Sequence, residues 1–324
     1  MMKSLVLLAG SFMLMMGCNK SSSNEKGLPD EDETFTATQR QCSSQDVLEE
    51  QLKADPSLRQ RMNEIEEFTQ RAIANPQQYR LVNGVIEIPV VFNVLYRTAA
   101  QNVSLAQLQS QIDVLNEDFA ATNADYNLSS TYNSVKAGNI GVRFVLDQVK
   151  RRSTTKTSWS TNDAMKKSAQ GIAPTTPTTK LNIWVCNMGG GILGYAQFPG
   201  GASATDGVVL DDNATGRTGT AAAPFNKGRT ATHEVGHWMN LRHIWGDATC
   251  GNDQVGDTPT HNTANYGCPA AGHTSTCAGT PVEMTMNYMD YTDDACMYMF
   301  SAGQKSRMLA VFAVGGARNS FAQP

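Results

Sequence analysis

The sequence predicts an α+β fold, with a twisted mixed β-sheet, a few helices and an irregular C-terminal part. Residues 85–96, 140–149 and 181–186 are rich in β-branched residues or alternate in polarity, and they predict three strands. Apolar residues recur at helical spacing elsewhere, and Ser104 can cap a helix after the first strand. The segment after residue 243 shows little periodicity but contains four of the seven cysteines. We therefore expect cross-links to stabilise that segment in place of a large core.

The first residues predict export. An apolar run from Leu5 to Gly17 follows Lys3; it is too short for a stable membrane span, and residues 1–17 are interpreted as a signal peptide. The run ends in LMMGC, which resembles a bacterial lipoprotein signal and makes Cys18 the candidate for lipidation. Simple secretion is the alternative. Residues 18–34 are polar and predict a flexible tether, so we expect an exported protein of the cell envelope or the extracellular space.

Helical spacing of apolar residues predicts the remaining helices. Residues 46–75 predict two helices, because such residues recur on both sides of Pro56. A later helix is expected to begin at Thr230 or Thr232, and a last helix is expected to cover about residues 302–312. The helix after the first strand is expected to present one apolar face, formed by Leu105, Leu108, Ile112, Leu115 and Phe119.

The strongest functional signal is the run HEVGHWMNLRH, which contains three of the five histidines. On a helix, His233 and His237 lie one turn apart on the same face, so both imidazoles can bind one ion. His243 follows six residues later, so the chain must turn back, and Asn240 tolerates the left-handed conformation that such a turn needs. Three neutral imidazoles leave one position of a tetrahedral zinc site open for water, and Glu234 lies beside it as a general base.

A second signal lies about fifty residues further on, where the run NYMDY contains Met289 and Tyr291. The runs GRTATHEVGHWMNLRHIWGD and NYMDYTDDACMYMFSAGQKSRM together resemble the pappalysin family of metzincin zinc peptidases. The resemblance extends from about Ile86 and implies a metzincin catalytic domain over residues 81–324. It also implies that Met289 forms a Met-turn beneath the metal and that Tyr291 stabilises the charged reaction intermediate. A buried tyrosine with a satisfied hydroxyl is the alternative for Tyr291.

The expected function is hydrolysis of protein or peptide substrates by a secreted or lipid-anchored zinc endopeptidase. A catalytically limited zinc-binding surface protein or adhesin is the alternative, although Glu234 and the three histidines are all present. Further alternatives are a peptidase class with a glutamate as third ligand and a structural zinc site with His261 or His273 as fourth ligand. A net charge of −4 without a cluster of lysines and arginines argues against a nucleic-acid partner. We expect a monomer.

The four late cysteines are expected to form disulfides in an oxidising compartment. Four cysteines allow three pairings, and the resemblance implies the pairs Cys250–Cys277 and Cys268–Cys296. A second structural metal site is the alternative, although these cysteines contain no CxxC pair. Cys186, in the third predicted strand, is expected to be a buried free thiol.

An isolated cysteine precedes the two predicted helices, in the run Arg40-Gln41-Cys42. This run resembles the short propeptide motif of pappalysins, whose cysteine occupies the open position of the metal. Residues 35–80 are therefore interpreted as the propeptide of a latent zymogen, with Cys42 as a cysteine switch. A disulfide from Cys42 to Cys186 or to a partner chain is the alternative.

The run after residues 189–191, three glycines, is a candidate for substrate binding. In metzincins an edge strand of this kind lies antiparallel to the extended substrate and hydrogen-bonds its backbone. The candidates here are Gly194, Tyr195 and Ala196. A phosphate-binding loop is disfavoured, because neither a GK[ST] nor a GxGxxG pattern accompanies the glycines.

Acidic residues near the last cysteine are candidates for substrate specificity. In pappalysin relatives that cleave before arginine or lysine, an acidic residue lines the pocket for the side chain after the cut. Asp293 and Asp294 are the candidates in this sequence. Ala295 stands directly before Cys296, at the position where the resemblance would place that acid.

The segment GNDQVGDT concentrates oxygen donors around glycine turns and resembles a calcium-binding loop of pappalysins. Calcium takes six to eight oxygen ligands, including backbone carbonyls. Asp253, Asp257 and Thr258 are the candidate ligands, and a solvated acidic turn is the alternative. The expected cofactors are therefore catalytic zinc and a possible structural calcium.

Overall fold

The computed structural model describes residues 37–77, 84–128 and 130–322, so the predicted signal peptide, the tether and Cys18 lie outside the described residues. Within those ranges, the α-helices are α1 (Ser44–Ala54), α2 (Ser57–Ala74), α3 (Leu105–Phe119), α4 (Arg229–Trp238) and α5 (Ala302–Ala310). The β-strands are β1 (Ile86–Tyr96), β2 (Val142–Ser153), β3 (Leu181–Cys186), β4 (Gly194–Ala196) and β5 (Val208–Asp211). Short 3-10 helices lie at Asn133–Val135, Ala164–Lys166, Gly189–Gly191, Ser203–Thr205, Asp212–Ala214 and Asn319–Ala322.

The strands form one mixed sheet in the order β2-β1-β3-β5-β4. β1 pairs in parallel with β2 and β3, and β3 pairs in parallel with β5. β4 is antiparallel to β5 and occupies the edge of the sheet. This arrangement confirms the predicted α+β class. β5 was not predicted, because its four residues are too short to show a period.

Alternating side chains of the strands bury both faces of the sheet. On one face, Ile88, Val90, Phe92 and Val94 of β1 join the main core with apolar residues of α3, α4 and α5. On the other face, Leu95, Trp184 and Val209 pack with Trp159 and Met165 in a second cluster. The sheet therefore fixes α4 against its inner face while leaving β4 at an edge.

Two details of the predicted helices are wrong. Helix α4 begins at Arg229 with Gly228 at its N-cap, where φ is 76°. Thr230 and Thr232 lie inside the helix, because their hydroxyls bind Arg40 and Asp118 instead of free backbone amides. In α3, Ser104 caps the helix as predicted by accepting from the amide of Gln107, but Leu105 is 58% exposed and does not belong to the apolar face. Leu105 is the first residue of the helix and lies outside the face that packs against the core.

The segment between α4 and α5 contains neither an α-helix nor a named strand. Disulfides join Cys250 to Cys277 and Cys268 to Cys296 within it, which is the pairing that the resemblance implies. Each bridge closes a loop of nearly thirty residues and restricts the unfolded chain. Cys42 and Cys186 are both buried and free. In the part of the chain that the structure describes, no helix is both long and apolar enough to cross a membrane.

Candidate active site

Helix α4 and the turn after it place three histidine side chains at one point. His233 and His237 lie one turn apart on α4, and the helix ends at Trp238, one residue after His237. Asn240 then adopts φ 74°, the left-handed conformation that the sequence predicts for this turn. The turn returns the chain so that His243 lies against the other two rings, and all three imidazoles are buried.

The hydrogen bonds of the three rings leave one nitrogen of each without a proton. Nδ1 of His233 donates to the carbonyl of Tyr288 at 2.7 Å, and Nδ1 of His237 donates to the carbonyl of Leu241 at 2.8 Å. Nδ1 of His243 donates to the carboxylate of Asp247. Because each Nδ1 has an acceptor, each Nε2 carries a lone pair.

The three Nε2 atoms converge at a distance that suits a zinc ion. Nε2 of His237 lies 3.2 Å from Nε2 of His233 and 3.1 Å from Nε2 of His243. Tetrahedral zinc with Zn–N bonds of 2.0–2.1 Å separates its nitrogen ligands by about 3.3 Å. Three lone pairs facing one another without a proton between them repel, and a cation removes that repulsion. The residues therefore fit zinc.

Electrostatics keep the imidazoles in the form that binds a metal. Burial and, to a smaller extent, the neighbouring His243 lower the pKa of His237 to about 3. Burial and the two other histidines hold the pKa of His233 well below its usual range. Both rings are neutral at neutral pH, which is the state in which imidazole ligates a metal.

Glu234 lies beside this point with its carboxylate held by two donors. Oε2 of Glu234 accepts from Oγ of Ser44 at 2.8 Å and from Sγ of Cys42 at 3.3 Å. Burial raises the pKa of Glu234 to about 7, and the two hydrogen bonds oppose that rise. Sγ of Cys42 and one ligand atom of each of the three histidines all lie within 4.8 Å of one another. Cys42 is thus in reach of the same metal position.

Met289 packs against helix α4. A Cβ atom on Gly236 would lie 2.5 Å from Sδ of Met289, so only a glycine allows this approach. The carbonyl of Met289 accepts from the amide of Ile244, which ties the turn to the segment that contains His243. Met289 therefore supports the helix and the third histidine from below.

Tyr291 lies at the mouth of the site. Its ring lies 5.0 Å from His243 and 4.6 Å from Trp245, centroid to centroid. Its hydroxyl donates to the carbonyl of Cys42 at 2.9 Å and accepts from the amide of Cys42 at 3.3 Å. Burial holds the pKa of Tyr291 well above its usual range, so the hydroxyl keeps its proton as a donor.

Residues 40–44 run along the edge strand β4. Cys42 forms a parallel bridge with Gly194, the amide of Ser43 donates to the carbonyl of Gly194, and the carbonyl of Gln41 accepts from Leu193. The amide of Ala196 donates to Oγ of Ser44 at 2.8 Å. The backbone groups of β4 therefore face the cleft.

The side chain of Tyr195 points the other way, into the second core cluster. Its hydroxyl donates to Asp163, so this residue contributes its backbone alone to the edge. Gly194 lies beside the general-base candidate, because a Cβ there would lie 3.1 Å from Cγ of Glu234. The edge strand is thus held close to the carboxylate by a residue without a side chain.

Arg40 fills a buried pocket beside the histidines. Its guanidinium donates to Oδ1 of Asp294 at 2.6 Å, to Oγ1 of Thr230 at 3.1 Å and to the carbonyl of Thr292 at 3.2 Å. The ring of Phe225 lies 5.0 Å from the guanidinium carbon. Arg40 and Asp294 are 1% and 0% exposed, so solvent does not screen this ion pair.

A model of peptidase family M43, described as pregnancy-associated plasma protein-A, matches residues 180–313. Extracellular metalloprotease 1 of Coccidioides posadasii is 32% identical over 240 residues, which are 70% of this chain and 77% of the relative. The extracellular metalloprotease of Verticillium alfalfae is 35% identical over 235 residues, 68% of this chain and 77% of the relative. The chain belongs to the pappalysin family, M43.

Solved structures of mirolysin from Tannerella forsythia share the fold of this pappalysin. A mutant of promirolysin has a TM-score of 0.78 and 41% identity, and the match covers 87% of this chain and 97% of that chain. Mature mirolysin in complex with a cleaved peptide has a TM-score of 0.70 and 44% identity, covering 73% and 95%. This pappalysin is a zinc metalloendopeptidase of metzincin fold, and its substrates are proteins or peptides.

The two candidate specificity aspartates of this pappalysin lie in different surroundings. Oδ2 of Asp294 accepts from the backbone amides of Lys227 and Arg229, at 2.8 and 3.2 Å, and its other oxygen binds Arg40. Asp293 is partly exposed, and its amide donates to the carbonyl of Gly267. Ala295 is exposed. Asp294 is therefore the carboxylate that meets a side chain in the pocket.

The predicted calcium ligands each have protein partners in the structure. Both oxygens of Asp253 accept from Oγ1 of Thr258, and Oδ1 also accepts from the amide of Val255. Asp257 accepts from the hydroxyl of Ser301 and the amide of Gly303, at the start of α5. Calcium binding by this loop stays a prediction, and it would require these oxygens to exchange their present donors.

Three residues that hold the site were not predicted from the sequence. Ser44 binds Glu234 across 190 positions, and Asp118 accepts from Thr232 and Tyr288 across 114 and 170 positions. Asp247 binds His243 four residues away. The position of Asp247, one turn-length after a predicted ligand, was the only available hint.

Proposed function

We propose that this pappalysin is exported as a latent zymogen in which His233, His237 and His243 bind the zinc and Glu234 is the general base. The observation that carries the proposal is the convergence of three histidine Nε2 atoms beside a buried carboxylate. Nε2 of His237 lies 3.2 Å from that of His233 and 3.1 Å from that of His243. When bound, zinc supplies a Lewis acid that polarises the scissile carbonyl and acidifies water. Proton transfer and oxyanion binding are carried out by side chains of this protein.

Glu234 takes a proton from the attacking water and returns it to the leaving amine. A base works best when its pKa lies near the working pH, and burial raises the pKa of Glu234 to about 7. Tyr291 donates its hydroxyl to the oxyanion once the segment that contains Cys42 has left, because that segment holds the hydroxyl in the structure. Met289 keeps the third histidine in place through its contact with the helix and the carbonyl bond to Ile244.

Replacing the base separates its role from metal binding. Glu234→Ala is expected to abolish casein hydrolysis while the protein retains close to one zinc per chain, since the three imidazoles remain. His243→Ala is expected to lose both zinc and activity, because two helix histidines bind zinc weakly. Glu49→Ala, which changes an exposed glutamate of α1, is the control for both. Substantial casein hydrolysis by Glu234→Ala would refute the assignment of the base.

Latency is proposed to depend on Cys42 as the fourth ligand of the zinc. Its Sγ lies within 4.8 Å of the histidine ligand atoms, and thiolate is a strong zinc ligand. Promirolysin matches 87% of this chain and mature mirolysin 73%, and this difference of 14% of the chain is about 45 residues. A segment of that length agrees with the proposed propeptide, residues 35–80. Cleavage is expected in the linker between Pro76 and Gly84.

The contacts of Ser44 add a second component to the proposed latency. Its hydroxyl binds both the carboxylate of Glu234 and the amide of Ala196, so it occupies the base and the edge strand together. Full-length Cys42→Ala is therefore expected to gain activity or process faster, and Cys42→Ala with Ser44→Ala to gain more. Ser57→Ala, at the exposed start of α2, is the control. A Cys42→Ala protein as latent as the wild type would exclude a cysteine switch.

Cleavage before arginine or lysine is the proposed specificity. The buried carboxylate of Asp294 binds the guanidinium of Arg40, with Thr230 and Thr292 completing its contacts, so the pocket accommodates an extended basic side chain. Gly194 and Ala196 are proposed to bind the substrate backbone. A proteome-derived peptide library, read by mass spectrometry for the residue after each cut, tests this. A preference for apolar residues at that position would contradict the proposal.

Export and membrane attachment complete the proposed function. The relatives named extracellular metalloproteases support export of this chain. Lipidation of Cys18 would anchor the exported protein to the cell envelope, and we propose that it is a monomer. Cys18→Ser is then expected to move the protein from the membrane fraction to the soluble fraction, and unchanged fractionation would favour plain secretion.

A further inference from the structure

The third histidine differs from the other two in how its ring is held. His233 and His237 lie on helix α4, whose backbone fixes their direction. His243 lies on irregular chain after the turn at Asn240, so other contacts must orient its ring. Trp245 stacks on one face of the ring, with the two ring centroids 4.4 Å apart and an interplanar angle of 8°.

The hydrogen-bond partner of His243 also differs in charge. His233 and His237 donate their Nδ1 protons to neutral backbone carbonyls. His243 donates its Nδ1 proton to Oδ1 of Asp247 at 2.5 Å. A charge-assisted hydrogen bond to a carboxylate is about twice as strong as one to a carbonyl. The ring that lacks support from a helix thus has the strongest single partner.

The backbone at Asp247 is strained in order to make this contact. Asp247 has φ 56°, in the left-handed region that costs a non-glycine residue about 1 kcal/mol or more. This conformation turns the chain after Trp245 so that the carboxylate points back at the imidazole. The side chain is 24% exposed, while that of His243 is 2% exposed, so the bond forms at the border of solvent. Strain of this kind persists where the surrounding structure requires it.

We infer that Asp247 is a positioning residue for the metal site, which rests on the proposed role of His243 as a zinc ligand. Its carboxylate fixes the Nδ1-protonated tautomer of His243, so that Nε2 always presents a lone pair toward the other two rings. Its strained backbone and the stacked Trp245 hold the ring plane. Without Asp247, Nδ1 of His243 loses its acceptor, so the ring can change its tautomer and the third ligand is less well pre-organised.

Zinc affinity tests the inference directly. Full-length Asp247→Ala, Asp247→Asn and wild-type proteins compete for zinc with a chromogenic chelator, and apparent zinc dissociation constants are compared. Asp247→Ala is expected to bind zinc 10- to 100-fold more weakly, which is the usual effect of removing a hydrogen-bond partner of a metal-ligating histidine. Asp247→Asn keeps an acceptor without the charge and is expected to fall between the two. Asp113→Asn, an exposed aspartate of α3, is the matched control.

Two further measurements distinguish the ways in which the inference can fail. His243→Ala is measured beside the Asp247 variants, and if it binds zinc like the wild type, the proposed ligand set itself is wrong. Weak binding by His243→Ala together with unchanged binding by Asp247→Ala would overturn only the role of Asp247. Thermal unfolding of the metal-free proteins is the second measurement. A loss of metal affinity matched by an equal destabilisation of metal-free Asp247→Ala would assign Asp247 to general folding and also overturn the inference.

Discussion

Arg40→Ala is expected to loosen the proposed propeptide more than any other single change outside the cysteine. Arg40 inserts a fully buried guanidinium into the catalytic domain, whereas residues 41–43 contact the edge strand through their backbones. Truncation to alanine removes the four hydrogen bonds of the guanidinium, to Asp294, Thr230, Thr292 and Sδ of Met297, and its contact with Phe225. The segment remains tied by Cys42 and by helices α1 and α2.

The size of the effect follows from these contacts. Removing one partner of a buried ion pair costs about 3–5 kcal/mol when the other charge is left alone. Asp294 keeps two amide donors, from Lys227 and Arg229, so the lower end of that range applies. A loss of about 3 kcal/mol increases the population of the undocked segment by about 150-fold.

Alkylation of Cys42 measures the undocked population without relying on activity. The buried thiol reacts when the segment leaves the cleft, so the alkylation rate is proportional to that population. Site-specific mass spectrometry follows Cys42, and the buried thiol of Cys186 reports global unfolding in the same sample. Arg40→Ala is expected to alkylate at Cys42 about 100-fold faster than the wild type, with Cys186 unchanged.

Arg59→Ala is the matched control, because Arg59 is an exposed arginine on the same segment. Its alkylation rate is expected to stay within about twofold of the wild-type rate, in keeping with the small effects of exposed charges. Arg40→Lys keeps the charge but lacks the fork of donors, so an intermediate rate is expected. Equal rates for Arg40→Ala and Arg59→Ala would refute the reasoning, because the pocket would then contribute nothing to docking.

Three further predictions concern specificity, cross-links and pH. Asp294→Asn, after removal of residues 35–80, is expected to lower kcat/KM about 100-fold for a fluorogenic peptide with arginine after the cut. A matched peptide with leucine at that position is the control, and an equal loss of kcat/KM on it would contradict the proposed pocket. Replacing Cys250 and Cys277 together by serine is expected to cost about 3–4 kcal/mol in chemical unfolding, from the 27-residue separation of the bridge; an unchanged midpoint would exclude the bridge. Burial raises the pKa of Asp118 from 3.8 to about 6, so the folded protein retains this proton and the contribution of Asp118 to stability falls as pH rises through that window. The difference in unfolding free energy between wild type and Asp118→Asn should therefore change by about 2 kcal/mol between pH 4 and pH 7, and a constant difference would contradict the shift.

Local pattern was sufficient to predict most of the fold. β1 and β3 were found within one residue, because their long apolar runs have few other interpretations. β5 was missed, since its four residues gain their conformation from pairing with β3 and β4. The start of α4 was wrong for a similar reason. Thr230 and Thr232 are good capping residues, but their hydroxyls have tertiary partners.

The metal site was predictable to the extent that its residues are close in sequence. The spacing of the three histidines and the turn at Asn240 predict that the three imidazoles converge, because one helix and one left-handed residue are enough to bring them together. Ser44 was not predictable, because its role depends on docking against Glu234 from a segment 190 residues away. Sequence spacing identifies groups that one element presents together, and it cannot identify groups that meet only when separate elements pack.

The direction of residues 40–44 explains how the proposed propeptide can fill the cleft without becoming a substrate. The segment lies parallel to β4, whereas the substrate is proposed to lie antiparallel. At Ala196, the amide that would bind a substrate carbonyl instead binds the side-chain hydroxyl of Ser44. That hydroxyl also donates to Glu234, so the base meets a donor in place of water. The segment therefore occupies the polar groups of the cleft while running opposite to the proposed substrate direction, and we expect cleavage in another part of the chain.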